Sequence, residues 1–174
     1  MIDADDLAAV AAQLHRTPRA TTAVAHRCSC GLPDVVQTHP RLDDGAPFPT
    51  LYYLTCPRAA SAVGRLEASG LMRDMTERLH RDPGLATRYQ AAHDDYLARR
   101  DELEPLGTTV TAGGMPTRVK CLHVLVAHSL AAGPGVNPLG DEALELLDDW
   151  GKGGKCVSPP DIPRFAHDAA GTPE

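Results

Sequence analysis

Apolar residues recur along this chain at the spacing of amphipathic helices. In residues 3–15, Leu7, Val10 and Leu14 fall on one helical face, and acidic residues occupy the first turn. Similar spacing elsewhere, interrupted by Ala-Ser-Gly and Asp-Pro-Gly, indicates further helices. Helices are therefore predicted over residues 3–15, 57–67, 71–80, 85–103, 117–132 and 142–150.

Short β-branched and aromatic runs predict a small sheet. Residues 21–27 and 34–38 are typical of two strands that could pair, because the intervening glycine and proline supply a turn. Residues 51–55, Leu-Tyr-Tyr-Leu-Thr, show the strongest strand pattern. Because the strands occupy one region and do not alternate with helices, the predicted fold class is α+β. We expect a mostly helical single domain with a two- or three-stranded sheet from residues 21–55.

The length and composition fit one folded domain. A chain of 174 residues, 43% hydrophobic and 23% charged, can bury enough surface to fold without disulfides. Glycine and proline become frequent after residue 150, which is typical of an irregular terminal segment. We therefore predict a single domain over residues 1–150 and an irregular Gly/Pro-rich tail over residues 151–174.

The net charge and the lack of long apolar segments limit the classes of partner that we expect. A formal net charge of −6 argues against nonspecific nucleic-acid binding, which favours a basic surplus. No stretch is long and apolar enough to serve as a signal peptide or to span a membrane, so we expect no membrane partner and a cytoplasmic location.

In a reducing compartment the five cysteines should be thiols or metal ligands rather than disulfides.

Cys56 stands where the predicted strand ends and a helix begins. Pro57 is favoured in a first helical turn, so the thiol should lie at a helix amino terminus. Free N–H groups and the helix dipole favour a thiolate there, and Arg58 adds positive charge. The alternative is a small buried apolar side chain, which is a common environment for free cysteine.

Cys28 and Cys121 also lie where predicted elements end or begin. If folding brings Cys28, Cys56 and Cys121 together, their thiolates would favour zinc, copper(I) or an iron–sulfur cluster. Cys30 or a histidine could complete such a site. We therefore predict zinc or an iron–sulfur cluster on these three cysteines, and interpret Cys156, in the tail, as incidental.

The strongly apolar predicted helix carries further candidate side chains. Arg118, Cys121 and His128 fall on one stripe at 100° per residue. His123 points elsewhere and is interpreted as a hydrogen-bonded core histidine. We predict that Arg27 and Arg118 bind a small anionic ligand. His128 is the predicted catalytic group, shuttling a proton beside the metal.

Three strings of the sequence resemble a known family. "RCSCGLPDVV", "DGAPFPTLYYLTCP" and "MPTRVKCLHVLVAHSLAAGPGVNPLGDEAL" are similar to the bacterial domain of unknown function 501 family, common in actinobacteria, over residues 20–148. The resemblance implies that Cys28, Cys56 and Cys121 match the family pattern and that Cys30 stands at a variable position. It also implies a partner in cell division or phosphate metabolism, since the family's genes often adjoin those for a septum-formation initiator protein, an exopolyphosphatase-like phosphatase and enolase.

Two alternatives to a metal site follow from the same residues. One is a noncatalytic partner-binding module that uses the charged helix over residues 85–103 and the tail as its surfaces. The other is metal-free thiol redox chemistry at Cys56, which requires a thiol pKa well below the ordinary value of about 8.5. The sequence leaves open whether the protein is an enzyme.

Overall fold

The computed structural model describes residues 2–158 of the chain, which form six α-helices, one 3₁₀ turn and a three-stranded sheet. In chain order the elements are α1 (Ala4–Leu14), β1 (Thr21–Arg27), β2 (Pro33–Thr38), β3 (Tyr52–Leu54), α2 (Pro57–Ala68), α3 (Leu71–Arg81), α4 (Pro83–Leu103), the 3₁₀ turn (Ala112–Gly114), α5 (Leu122–Ala132) and α6 (Pro138–Glu145).

The sheet is antiparallel, with the strand order β1-β2-β3. Val35 of β2 pairs with His26 on one side and with Leu54 on the other. The central strand β2 is buried at consecutive positions, as expected where both edges are paired and both α1 and α5 pack against the strand. A small sheet with six helices confirms the predicted α+β class.

Helix α5 lies at the centre of the core. It is apolar around its whole circumference, which is typical of a helix buried on every side. It packs against β3, α2 and α6. Tyr96 of α4 contributes to the same core, and its hydroxyl accepts a hydrogen bond of 2.6 Å from the Leu51 backbone N–H. Helix α5 is therefore held in place by the sheet and by three other helices.

The structure corrects the predicted start of the central helix. The sequence predicts a helix from residue 117, but α5 begins at Leu122. The backbone N–H of Val119 donates to Thr76 Oγ1 at 3.0 Å, and that of Lys120 donates to the Gly113 carbonyl at 2.7 Å. Because these donors are used by α3 and the preceding turn, the chain follows turns and a bend, and helix begins only after Cys121.

The last helix also begins earlier than predicted, at Pro138 rather than at residue 142. The Asn137 side chain accepts a hydrogen bond of 3.0 Å from the Gly140 N–H, and proline occupies the first helical position. Asparagine before proline is thus a helix start, which combines a favoured cap with a favoured first residue.

Residues 151–158 contain turns and bends but neither helix nor strand. They lie against the start of α2, where the Arg58 guanidinium donates to the Gly154 carbonyl at 2.7 Å and to the Lys155 carbonyl at 3.1 Å. The remainder of the predicted tail, residues 159–174, lies outside the described residues. The division of the chain at residue 150 stays a prediction.

Candidate metal centre

Three side chains with metal-binding chemistry meet between α2 and the start of α5. One ligand atom each from Glu67, Cys121 and His123 lies within 4.8 Å of the other two. All three side chains are half-buried. Among residues 2–158, this is the one group of three or more histidine, cysteine and acidic side chains close enough to share an ion.

The backbone explains why Cys121 and His123 lie together. Cys121 precedes α5 in an extended conformation, with φ −154° and ψ 113°. Because it is the N-cap residue, its side chain is not tied to the helical spacing of 100° per residue and can lie beside the first turn of α5. The sequence analysis placed Cys121 inside a helix, where positions two apart diverge by about 200°. The later helix start is therefore what brings the thiol and the imidazole together.

Glu67 reaches this group from the last turn of α2. Its Oε1 accepts a hydrogen bond of 2.7 Å from the Leu122 backbone N–H, the first residue of α5. A carboxylate at a helix amino terminus satisfies a free N–H group and interacts favourably with the helix dipole. Glu67 thus caps α5 from a neighbouring helix and, in doing so, holds its charge beside the thiol and the imidazole.

Both ring nitrogens of His123 have oxygen partners. Nε2 lies 3.1 Å from the Ala60 carbonyl, and Nδ1 lies 3.1 Å from Glu67 Oε1. A carbonyl can only accept, so Nε2 carries the hydrogen. In a neutral ring Nδ1 would then present a lone pair to a carboxylate, which is unfavourable unless a proton or a metal cation lies between them. Hydrogen bonding to Cys121 and then to Glu67 raises the pKa of His123 to about 9.

A cavity of about 660 Å³ opens beside this group. Cys121 and His123 are part of its wall, together with Tyr53 and several hydroxyl-bearing side chains. Gln13 also lines it, and the buried Oε1 of Gln13 has no hydrogen-bond partner among residues 2–158. This oxygen has almost no accessible surface, so the cavity offers other polar groups, such as the hydroxyls of Tyr53 and Ser61, to a bound molecule.

The three cysteines predicted as ligands do not meet in the structure. Cys28 and Cys56 follow the ends of β1 and β3, and β2 lies between these strands, which separates them by roughly 10 Å. Among the described residues, the ligand atoms that lie within 4.8 Å of one another are those of Glu67, Cys121 and His123, and neither Cys28 nor Cys56 belongs to this group. The Cys28–Cys56–Cys121 cluster is therefore not formed by the described residues, and only Cys121 joins the group of ligands.

The remaining thiols have other neighbours. Cys28 is buried, and its Sγ accepts a hydrogen bond of 3.4 Å from the Cys30 backbone N–H. Burial raises the pKa of the Cys28 thiol. Cys30, proposed from the sequence as a fourth ligand, is thus beside Cys28 rather than beside Cys121. Cys56 is in contact with Cys156, the thiol that the sequence analysis had interpreted as incidental.

The two arginines predicted to bind an anion lie away from the cavity. Arg27 donates to Asp6 of α1, with 2.8 Å between Nη1 and Oδ1. The side chain of Arg118 is exposed, and its backbone carbonyl accepts a hydrogen bond of 3.2 Å from the Tyr89 hydroxyl. Neither arginine is among the residues that line the cavity. Their role in binding an anion stays a prediction.

His128, the predicted catalytic group, is fully buried in the core. Its Nε2 lies 2.9 Å from Asp95 Oδ2, and its Nδ1 accepts from Asn137 Nδ2 at 3.3 Å. The ring stacks on Tyr52 and meets the edge of Tyr96, with centroid separations of 6.0 and 5.2 Å. Because both nitrogens are engaged and the ring does not line the cavity, the geometry supports a structural role.

We expect the His128→Gln variant to reduce the acid sensitivity of the fold. Burial, opposed by Asp95, lowers the pKa of His128 in the folded protein. An unfolded histidine, with a pKa of about 6.5, therefore takes up a proton first, and stability falls as the pH decreases below that value. Between pH 6.5 and 5, the free energy of unfolding should depend less on pH in the variant, by up to about 1.4 kcal/mol per pH unit.

Urea unfolding at several pH values tests this expectation. His93 has a pKa that burial also lowers, but the wild type and the variant share it, so its contribution cancels in the difference. Parallel pH profiles for the two proteins would show that His128 does not change its protonation on unfolding.

A family comparison matches residues 24–145 to a protein family of unknown function, DUF501. The chain belongs to this family. No curated protein and no solved structure was found to match it. Membership of DUF501 confirms the resemblance noted in the sequence and assigns no activity, so a partner in cell division or phosphate metabolism stays a prediction.

In the described part of this DUF501 chain no helix has the length and apolar character needed to cross a membrane, and the cytoplasmic location stays a prediction as well.

Two members of the candidate site in this DUF501 chain were missed in the sequence. His123 was assigned to the core because the helix was started five residues too early. A cysteine and a histidine two apart at a helix start could have indicated the pair. Glu67 gave no local signal, since it reaches the site only through the packing of α2 against α5.

Proposed function

We propose that this DUF501 chain binds one zinc ion through Glu67, Cys121 and His123, with one coordination position open to the adjacent cavity. The orientation of His123 is the observation that supports it most strongly. A backbone carbonyl fixes one ring nitrogen, and the other faces a carboxylate and a thiol. Metal-binding histidines commonly have such an outer partner, which fixes the ring and selects the nitrogen that binds.

The mixture of thiolate, imidazole and carboxylate favours zinc over an iron–sulfur cluster. Zinc accepts all three ligand types, whereas clusters are held mainly by several cysteines. Zinc bonds of about 2.0–2.3 Å place tetrahedral ligand atoms roughly 3.3–3.8 Å apart. Since the ligand atoms here lie within 4.8 Å of one another, side-chain movements of about 1 Å would complete the coordination.

Three protein ligands would leave a fourth position for water or a small molecule, as in catalytic zinc sites rather than closed structural ones. The position faces a cavity that offers the side chains of Gln13, Tyr53 and Ser61 as polar partners. The cation itself would attract an anionic or oxygen-bearing ligand and polarise it as a Lewis acid.

Metal analysis of untagged protein purified without oxygen tests the proposal. We expect about one equivalent of zinc per chain, since thiolate sites usually retain their metal. The Cys121→Ser and His123→Gln variants should bind zinc at least about 100-fold more weakly in competition with a chromophoric chelator. Cobalt(II) should give a thiolate charge-transfer band in the wild type that is lost in Cys121→Ser, which tests the ligand itself.

Cys30→Ser is the matched control, because it removes a half-buried thiol outside the proposed ligands. It should leave both the zinc content and the cobalt spectrum unchanged. Less than about 0.2 equivalents of zinc in the wild type, together with no cobalt charge-transfer band, would contradict the proposal. Thermal unfolding of each variant distinguishes a lost ligand from a lost fold.

A further inference from the structure

Cys56 and Cys156 are in contact although 100 positions separate them in the sequence. Cys56 lies at the amino terminus of α2 and has no exposed surface. Cys156 lies in the segment over residues 151–158 and is half-buried. Cys156 packs against the core that contains Cys56, each thiol is the largest influence on the pKa of the other, and neither is in a disulfide. This pair is separate from the proposed zinc ligands.

Two side chains hold Cys156 in this position. Arg58 of α2 donates to the carbonyls of Gly154 and Lys155, which fixes the backbone immediately before the cysteine. Gln13 of α1 donates from Nε2 to Cys156 Sγ at 3.2 Å and to the Pro33 carbonyl at 2.7 Å. The segment is therefore placed by contacts from two helices, which hold Cys156 near the start of α2.

The surroundings give the two thiols different properties. The hydrogen bond from Cys56 is the largest effect on Cys156, and with the Gln13 N–H and the Arg58 charge it lowers the pKa of Cys156 to about 6. The same hydrogen bond, together with burial, raises the pKa of Cys56. These opposite shifts favour the thiolate form of Cys156 and the protonated form of Cys56.

We propose that Cys156 and Cys56 form a dithiol site that exchanges with small disulfides, with Cys156 as the attacking thiol and Cys56 as the resolving one. The half-buried sulfur of Cys156 can meet a substrate disulfide, whereas Cys56 is enclosed and can meet only Cys156. An accessible thiolate paired with a protected thiol is the arrangement that thiol–disulfide exchange requires. The inference does not depend on zinc.

The proposed thiol–disulfide exchange takes place in two steps. The Cys156 thiolate attacks one sulfur of a substrate R–S–S–R, the substrate S–S bond breaks, and R–S⁻ leaves and takes a proton from water. Cys56 then gives its proton to the solvent and attacks Cys156 Sγ as a thiolate, which breaks the mixed disulfide and releases the second R–S⁻, and this thiolate takes up a proton from the solvent. The two protein sulfurs are oxidised to one disulfide, and the two substrate sulfurs are reduced to two thiols. In the reverse direction, a small thiol restores the dithiol.

Oxidised glutathione is a suitable probe. After anaerobic incubation of the full chain, blocking of free thiols and digestion with trypsin, we expect peptide 42–58 linked by a disulfide to peptide 156–164. In Cys56→Ser, glutathione should remain attached to Cys156 because no resolving thiol is present. In Cys156→Ser, modification of Cys56 should be lost. Cys30→Ser is the matched control and should form the same linked peptide as the wild type.

A second measurement uses only the wild type, so it is independent of any folding defect in the variants. The alkylation rate of Cys156, followed by mass spectrometry against pH, should rise with a midpoint near 6 in the folded chain. In the urea-unfolded chain the midpoint should shift to about 8.5. Glutathione that accumulates on wild-type Cys156 without the linked peptide would overturn the proposal. So would the same alkylation midpoint in the folded and unfolded chains.

Discussion

Replacing Gly140 with alanine is expected to destabilise the fold by about 3 kcal/mol. Gly140 lies in α6 where this helix crosses α5, and a Cβ atom there would come within 2.3 Å of the Leu125 carbonyl oxygen and 2.4 Å of Ser129 Oγ. The Ser129 side chain could rotate away, but the Leu125 carbonyl is part of the backbone of α5. The two helices would have to separate, and the core between them would lose its packing.

Gly64→Ala is the matched control. Gly64 is also inside a helix, α2, but a Cβ atom there would have nothing within 4 Å. Without a clash, the better helix propensity of alanine should stabilise the protein by roughly 0.5–1 kcal/mol. Urea unfolding of both variants gives the two free-energy changes, which should have opposite signs. Equal changes would mean that α5 and α6 do not approach as closely as described.

The same substitution connects the fold to the proposed site. Cys121 and His123 stand at the start of α5, so a displacement of this helix would move both ligands relative to Glu67 on α2. We therefore expect Gly140→Ala to weaken zinc binding in addition to destabilising the protein, although residue 140 is not part of the site. Gly64→Ala should leave the zinc affinity unchanged.

The features of this structure that could be predicted from the sequence are those determined by the local pattern of apolar and polar residues. The alternation in residues 21–55 and the helical spacing of Leu7, Val10 and Leu14 each express a preference of the chain over a few residues, and the α+β class followed from them. The start of α5 was wrong because its preceding N–H groups bind Thr76 and Gly113, which are distant or lie in an irregular turn. Local spacing contains no information on such partners.

The candidate site depended on distant contacts and was predictable only in part. Cys121 was identified, but its neighbour Glu67 is 54 positions earlier, and the contact exists because α2 packs on α5. Likewise, the partner of Cys56 proved to be Cys156, in the segment that was taken for an irregular tail. Cysteines at the ends of elements were useful candidates, but the strand order decided which of them could meet.

Replacing Arg100 with methionine is expected to destabilise the protein by about 3 kcal/mol. The Arg100 side chain is fully buried, and its guanidinium donates to the carbonyls of Thr108 at 2.6 Å and Val110 at 2.8 Å. Its Nε lies 2.8 Å from Asp101 Oδ1. Hydrogen bonds from a charged donor contribute about 1.5–3 kcal/mol each. Methionine keeps the apolar stem packed but removes all of these bonds, so the loss measures the guanidinium rather than a cavity.

The effect should be concentrated in the loop that Arg100 holds against α4. Backbone amides over residues 107–112 should exchange with deuterium faster in Arg100→Met than in the wild type, because the hydrogen bonds from the guanidinium to this loop are lost. The increase in their exchange rate should be larger than the increase for the amides of α1. Arg73→Met is the matched control: its side chain is 76% exposed and its contact with Asp74 is a surface ion pair at 3.4 Å. That substitution should change the free energy of unfolding by no more than about 0.5 kcal/mol. If Arg100→Met were equally mild, water would have to replace the guanidinium at both carbonyls, and the loop would be held by its other contacts alone.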